Sequence, residues 1–314
     1  MSKNKKKIKK KHNNFGIVLL CIFLSMTCLS SLPLFLNASS SSILRGTDNV
    51  SISGNVTSST EVSTTHTNMS LEYSIHKFNK TEYMVSGIGT VTDGNIIPAA
   101  YYVDDNGNTY AVTYINQQAF AGDARVTRVE IPESIIEIAF AAFDSCENLT
   151  ELIFHENCQT ILSIGCFNNC SALEEVIVPA NITVIGDSVF RECQNLKKAE
   201  VYGGVGVRMF YGCENLKEVY IGDNITILPE KAFSECKNLD TVRMGKNVER
   251  ICAQVFYNTS LKELDFSQHS IVPVLDNAYA FKGIQKITVP AHLYEEWIAA
   301  PEWSRLAGRI VPAE

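Results

Sequence analysis

Several short motifs that mark enzymes are absent from this sequence. It has no G-x-x-x-x-G-K-[ST] phosphate loop and no G-x-G-x-x-G dinucleotide fingerprint, the two glycine-rich patterns that place backbone amides around phosphates. It also has no G-x-S-x-G nucleophile motif, and its histidines do not recur at any fixed spacing. We therefore predict no catalytic residues, no metal ligands and no cofactor, and a surface hydrolase is the least favoured function.

Basic residues are scarce outside the N-terminus. Seven lysines lie within the first eleven residues, and without them the formal charge of the remainder is about −14. Binding to a phosphate backbone depends on clustered lysine and arginine that displace counterions. An acidic body of this kind excludes nucleic acid as an expected partner.

The lysine-rich start leads into an apolar run that begins at Phe15 and reaches Leu24, followed by a more polar stretch to Ala38. This order is typical of a secretory signal peptide. Counted on to Leu36, the segment is also long enough for an uncleaved anchor with the lysines inside. Residues 1–38 are thus a signal peptide or a membrane anchor, and both alternatives put the body outside the cell.

Residues 39–70 are rich in serine, threonine and asparagine and poor in large apolar residues. Such a composition cannot bury enough surface to offset the entropy of ordering. We predict a disordered stalk between the N-terminal segment and the body.

Phenylalanine recurs through the body with a regular period. The successive spacings are 23, 24, 23, 20, 23, 23 and 25 residues, which indicates a repeat architecture. The recurring residues are Phe120, Phe143, Phe167, Phe190, Phe210, Phe233, Phe256 and Phe281.

A cysteine follows five of these phenylalanines by three residues, at Cys146, Cys170, Cys193, Cys213 and Cys236. A short alternation of apolar and polar residues comes next, as in residues 149–154 and 216–221, and a period of two predicts a short strand with one buried face. A second apolar run follows after a turn, and a single helical turn is expected before each phenylalanine.

These patterns resemble the BspA-like class of leucine-rich repeats. The matching segments are Leu173 to Pro179, Ile182 to Gly186, and Ala232-Phe233 followed by Cys236. The resemblance implies a repeat solenoid, mainly β with short helical or 3-10 turns, of about seven to eight units of about 23 residues. It covers residues 103–288, with an N-terminal capping segment at 71–102 and a C-terminal cap at 289–314.

Two irregularities interrupt the repeats. The fifth unit is three residues short around Gly203-Gly204-Val205-Gly206, and the last interval lacks the cysteine and contains Pro273. Local kinks are expected at both places.

A single unit of this size cannot stay folded alone. Burying about seven apolar side chains stabilises it by roughly 10–20 kcal/mol, while ordering its backbone costs roughly 25–45 kcal/mol. Stacking adds burial between neighbours, so the phenylalanines and cysteines are expected to form ladders along a common core. The cysteines are spaced about one coil apart, not as in C-x-x-C zinc sites, which favours buried free thiols.

The polar positions of the repeated strand are the candidate binding residues, because side chains between the buried ones point away from the core. We define two rows, together called the strand face. The first row contains Glu130, Ile153, Ile177, Glu200, Tyr220, Arg243 and Asp265, and the second contains Arg128, Glu151, Glu175, Lys198, Glu218, Thr241 and Glu263.

An aligned face with two isoleucines and a tyrosine among charges suits contact with a protein or a glycan. The resemblance implies surface attachment or binding to host or matrix proteins. The alternative is an envelope-associated structural spacer whose strand face is merely solvated.

Overall fold

The computed structural model describes residues 71–314. The expected signal peptide or anchor (1–38) and the expected stalk (39–70) lie outside the described residues. Within the described part, the chain consists of short strands joined by turns, with one short α-helix near the C-terminus.

The strands are numbered along the chain. They are β1 (Glu72–Ile75), β2 (Glu82–Gly87), β3 (Asn95–Ile96), β4 (Tyr101–Val103), β5 (Thr109–Ile115), β6 (Arg128–Ile131), β7 (Glu137–Ile138), β8 (Glu151–Phe154), β9 (Ile161–Leu162), β10 (Glu175–Val178), β11 (Lys198–Val201), β12 (Glu218–Ile221), β13 (Ile227–Leu228), β14 (Thr241–Arg243), β15 (Arg250–Ile251), β16 (Glu263–Asp265), β17 (Val274–Leu275), β18 (Lys286–Val289) and β19 (Ile310–Pro312). The α-helix is α1 (Tyr294–Ala299), and 3-10 helices span Ala278–Phe281, Ala291–Leu293 and Trp303–Arg309.

The longer strand of each unit lies beside its equivalent in the next unit, and all of these pairs are parallel. They form three runs, β3-β6-β8, β10-β11-β12-β14 and β16-β18-β19. Buried and exposed side chains alternate along these strands as the sequence predicts: in β10, Val176 and Val178 are buried whereas Glu175 and Ile177 are exposed. A repeat solenoid of mainly β character is therefore confirmed.

The second apolar run of each unit forms a second parallel ladder, whose strands are two residues long except for β5. It contains β5-β7-β9, extended by a bridge from Leu162 to Ile185, and then β13-β15-β17. The interruption falls in the short fifth unit, where a Cβ on Gly203 would overlap the Ile182 carbonyl oxygen and one on Gly204 would lie 2.7 Å from the Thr183 oxygen. Glycine is required there because the shortened coil brings two backbones into direct contact.

The turns around each phenylalanine form a third ladder. The residue two before and the residue two after the phenylalanine have positive φ in nearly every unit, for example Ser188 (62°) and Glu192 (58°) around Phe190. The backbone amides of Ser188, Phe190 and Glu192 donate to carbonyls of the next coil, each at 2.9 Å. The acceptors are Val207, Met209 and Tyr211, in that order. Backbone groups that would otherwise be orphaned in the turns are thereby paired between coils.

The helical turn expected before each phenylalanine is not a regular helix in most units. In most units this segment is a hydrogen-bonded turn, and a 3-10 helix forms there only in the last unit, Ala278–Phe281. A residue in the left-handed region two positions before the ring cannot continue a right-handed helix, so the turn stops after one hydrogen bond.

The eight phenylalanines are buried and stacked one on the next. Successive ring centroids lie 4.7 Å apart for Phe120 and Phe143, 5.6 Å for Phe190 and Phe210, and 6.2 Å for Phe256 and Phe281. Interplanar angles are 3°, 11° and 24° in the same pairs, so the rings remain near parallel along the whole core.

At both ends of the repeat region, a capping segment closes the core and adds strands to the sheets. At the N-terminal end β4 and β5 form an antiparallel hairpin around Gly107 (φ 81°), and β3 already opens the ladder of longer strands inside residues 71–102. At the C-terminal end β19 adds a last parallel strand to β18. The caps thus continue the sheets across both expected boundaries.

The C-terminal cap covers the last phenylalanine with two buried tryptophans. Trp303 lies 5.2 Å from Phe281 between ring centroids and its indole N–H donates to the Pro273 carbonyl at 2.7 Å. Trp297 packs on Trp303 at 4.5 Å. The aromatic stack therefore ends on indole rings rather than in solvent.

Candidate functional site: the strand face

The structure brings all fourteen residues of the strand face onto the side of the longer strands that points away from the core. Equivalent residues of neighbouring strands pair directly, Arg128 with Glu151 and Glu130 with Ile153. The central run, β10-β11-β12-β14, aligns Glu175, Lys198, Glu218 and Thr241 in one row. In the same run Ile177, Glu200, Tyr220 and Arg243 form the parallel row.

The rows are not continuous strand ladders from end to end. The hydrogen-bonded pairing stops between β8 and β10 and again between β14 and β16. The second interruption coincides with the irregular last interval that contains Pro273. The four strands β10, β11, β12 and β14 are therefore the longest uninterrupted part of the strand face.

Most charges on the strand face are paired with each other. Arg128 binds Glu130 at 2.7 Å and Glu151 at 2.9 Å. In the central run, Lys198 Nζ lies 2.6 Å from Glu200 Oε1, and Arg243 Nη2 lies 3.3 Å from Glu218 Oε1. Exposed pairs like these contribute little stability, but they hold long side chains in defined positions.

Two carboxylates on the face stay ionised more readily than usual. The hydrogen bond between Glu130 Oε1 and His155 Nε2, 2.7 Å long, lowers the pKa of Glu130, and Arg128 adds to the effect. Lys198 and the Tyr202 hydroxyl donate to Glu200 and lower its pKa. Both groups are acceptors oriented by neighbours.

The apolar part of the face is small: Ile177 is exposed, whereas Ile153 and Tyr220 are half-buried. Ile177 has 54% of its surface accessible, which is high for an isoleucine in a sheet. Tyr220 lies beside Tyr202 with ring centroids 5.1 Å apart. Aromatic and aliphatic groups of this kind, surrounded by polar ones, are typical of protein contact surfaces.

His155 and Tyr202 were missed by the sequence reasoning. Both lie just after a strand, two residues beyond Ile153 and Glu200 respectively, so extending the alternation by one step would have placed them on the same side. The structure also adds Asn95 and Lys286 to the second row, through their pairing with Arg128 and Glu263. These two lie in units too irregular for the phenylalanine period to reveal.

The cysteine row lies inside the core, away from the strand face. Each thiol donates to the carbonyl of the phenylalanine one coil earlier, from 3.0 Å for Cys213 to 3.4 Å for Cys193. Burial raises the pKa of the Cys146 thiol to about 12 and also raises that of Cys236. Thiols in this state are poor nucleophiles and poor metal ligands, because both roles need the thiolate.

No group of three or more His, Cys, Asp or Glu side chains within residues 71–314 could hold a metal ion. In the same part of the chain, no helix has the length and apolar character needed to cross a bilayer.

The sequence model described as "BspA type Leucine rich repeat region" matches residues 108–207 and 203–296, in six copies. No curated protein matches the chain.

Among solved structures, a leucine rich repeat protein of T. pallidum is 21% identical, with a TM-score of 0.51, over 60% of this chain and 86% of its own. At that identity the likeness shows the fold alone.

A leucine-rich repeat protein from Bacteroides ovatus is 20% identical, with a TM-score of 0.46, over 70% of each chain. A leucine rich cell surface protein from Faecalibacterium prausnitzii is also 20% identical with a TM-score of 0.46, over 71% of this chain and 54% of its own.

The six matched copies span the coils that carry the phenylalanine stack, the cysteine row and the strand face. The chain therefore belongs to the BspA-type leucine-rich-repeat family.

Proposed function

We propose that this chain is a non-enzymatic binding protein, exported to the cell surface or secreted, that engages a protein or glycan through its strand face. The observation that carries the proposal is the register of the central run. Four consecutive parallel strands hold eight outward side chains in two straight rows, and Ile177 in the first row is exposed. A rigid sheet fixes these groups before contact, which reduces the entropy lost on binding.

Export is supported by the sequence alone, because the lysine run and the apolar segment lie in residues 1–38. If the apolar segment stays uncleaved, it is the chain's contact with the membrane. Nucleic acid remains an unsuitable partner for so acidic a body.

The test uses the purified full chain on a panel of immobilised matrix proteins and glycans. Charge reversal at three strand-face glutamates together, Glu151→Lys, Glu175→Lys and Glu218→Lys, should reduce binding to whatever member of the panel the native chain binds. Ile177→Lys, a change in the first row, should also reduce this binding, because it inserts a charge into the exposed apolar patch.

Glu249→Lys is the matched control. Glu249 is exposed and directly precedes β15 of the ladder of short strands, and its amide donates to the Thr226 carbonyl at 2.7 Å. Binding that survives both strand-face variants and falls with the control would place the contact surface elsewhere.

One observation favours a second function, that of a structural spacer without a specific ligand. The ion pairs of Arg128, Lys198 and Arg243 neutralise much of the face, as expected for a surface adapted to water. A panel on which the native chain binds no member reproducibly would support the spacer.

A further inference from the structure

A cleft with basic side chains lies on the turn side of three consecutive coils, separate from the strand face. It has a volume of about 440 Å³ and is lined by Ser188, Arg191, Arg208, Tyr211 and Lys231. We propose that this cleft binds the carboxylate of an acidic sugar, in addition to the ligand of the strand face.

The repeat itself brings these side chains together. Ser188, Arg208 and Lys231 each precede a stacked phenylalanine by two residues and share the left-handed backbone of that position, with φ of 62°, 51° and 58°. Arg191 and Tyr211 each follow a phenylalanine directly. Equivalent positions on successive coils are neighbours, so the five side chains line one opening.

Positive charge at this place is a special feature of the middle coils. The same turn position two residues before the phenylalanine is uncharged in the other units whose backbone is left-handed there, at Gln118, Ala141, Gly165 and Gln254. Within residues 71–314, Arg208 and Lys231 are thus the two cations at this left-handed position, and Arg191, directly after Phe190, adds a third cation to the cleft.

Each cation is held by one acid and keeps donors free. Asp187 accepts from Arg208, Glu192 accepts from Arg191 at 2.5 Å, and Glu230 binds Lys231 at 2.9 Å. A guanidinium carries five N–H donors, so one carboxylate leaves several of them for a second acceptor.

Arg191 leaves one terminal nitrogen open to a ligand. Its Nη2 donates to Glu192 and its Nε is buried, whereas its Nη1 has no acceptor among residues 71–314. The guanidinium is held over the Tyr211 ring, 5.6 Å from the centroid. A planar carboxylate is the group that a guanidinium fits best, and Nη1 is the donor that remains for it.

The lining favours a sugar acid over an acidic peptide. All five lining side chains are polar, and two of them carry hydroxyls, Ser188 and Tyr211. A peptide site normally needs apolar anchors in its pocket, whereas a sugar acid offers one carboxylate and many hydroxyls. The acids Asp187, Glu192 and Glu230 balance the three cations, so recognition depends on directed hydrogen bonds more than on net charge.

The experiment titrates the full chain with three probes by calorimetry: a uronic-acid disaccharide, the same disaccharide with its carboxyls reduced to alcohols, and a hexaglutamate peptide. The proposal expects saturable binding of the uronic acid and none of the neutral sugar. Equal binding of both sugars, stronger binding of the peptide, or no binding of the uronic acid would each overturn it.

Variants then locate the site. Arg191→Gln and Lys231→Gln should each weaken uronic-acid binding about tenfold or more, because each removes a charged hydrogen bond. Arg208→Lys keeps the charge and removes the fork, so it should weaken binding as well. Far-ultraviolet circular dichroism confirms that each variant is folded.

Two controls separate this cleft from other surfaces. Lys246→Gln removes an exposed lysine that binds Asp223 at 3.3 Å outside the cleft, and it should leave the affinity unchanged. The strand-face variant Ile177→Lys should also leave it unchanged. Loss of uronic-acid binding in either control, with the Arg191 variant unaffected, would overturn the assignment.

Discussion

At the scale of single residues, the phenylalanine at the centre of each coil determines how strongly neighbouring coils are bound together. Phe190 is fully buried and stacks 5.6 Å from both Phe167 and Phe210. Phe140, by contrast, leaves 52% of its surface accessible. The two residues are chemically identical and differ only in environment.

Phe190→Ala should therefore lower the free energy of unfolding by about 3–5 kcal/mol, since it removes buried surface and leaves a cavity. Phe140→Ala should change it by less than about 1 kcal/mol, as for most exposed sites. Urea unfolding followed by circular dichroism measures both. Equal effects in the two variants would contradict a buried aromatic stack.

His269 offers a second prediction at this scale, on pH. It is 3% exposed, and neither ring nitrogen has a partner among residues 71–314. Burial lowers its pKa, although the backbone carbonyl of Phe266 and the carboxylates of Asp265 and Asp223 act in the opposite direction.

A histidine with a lowered pKa binds fewer protons in the folded chain than in the unfolded one. Its contribution to stability is complete above the ordinary value of about 6.5 and is lost progressively as the pH falls below that value towards the lowered one. Between pH 7 and pH 5, His269→Leu should lose less unfolding free energy than the native chain. Exposed His292, replaced in the same way, is the control, and an equal slope in all three proteins would show that His269 is not buried.

At the scale of elements, the ladder of short strands is interrupted where the chain has three fewer residues. There the backbone of the fifth unit touches that of the fourth, and the glycines at 203, 204 and 206 make the approach possible. A side chain at these positions would force the coils apart.

Gly206→Ala should lower the free energy of unfolding by about 1–3 kcal/mol, the usual range for overpacking, because its Cβ would overlap the Gly186 carbonyl oxygen. Gly308→Ala is the matched control, since no atom lies within 4 Å of its added Cβ. Thermal unfolding of both variants tests the close approach, and a tolerated Gly206→Ala would contradict it.

Much of this architecture could be predicted from the sequence, because it depends on spacing. The phenylalanine period fixes the coil length, and alternation in segments such as 175–178 fixes which side chains turn inward. The turn geometry could not be predicted in this way. Left-handed φ falls on residues such as Arg208 and Lys231, which carry none of the glycine signal that normally marks it.

The candidate site could be predicted only in outline. Strand alternation placed the fourteen face residues on one side, but it carries no information on which long side chains pair. Arg128 reaches both Glu130 and Glu151, and His155 reaches back to Glu130 across one coil. Such choices depend on rotamers and on the exact register between coils, which the sequence period does not specify.

At the scale of the whole molecule, the core within residues 71–314 is a single stack whose thiols are covered by the same packing as its rings. Seven of the eight cysteines in this part are buried, and Cys252 is partly accessible. In a repeat stack each coil is stabilised by its neighbours, so the coils should unfold cooperatively rather than one at a time.

Cysteine alkylation mapped by mass spectrometry across a urea series tests this central claim most directly. In native buffer, Cys252 should be the only one of these eight cysteines to react, and the other seven should become reactive together over one narrow range of urea. Reaction of Cys170, Cys193 or Cys213 in native buffer, or separate transitions for the individual coils, would contradict a continuous buried stack.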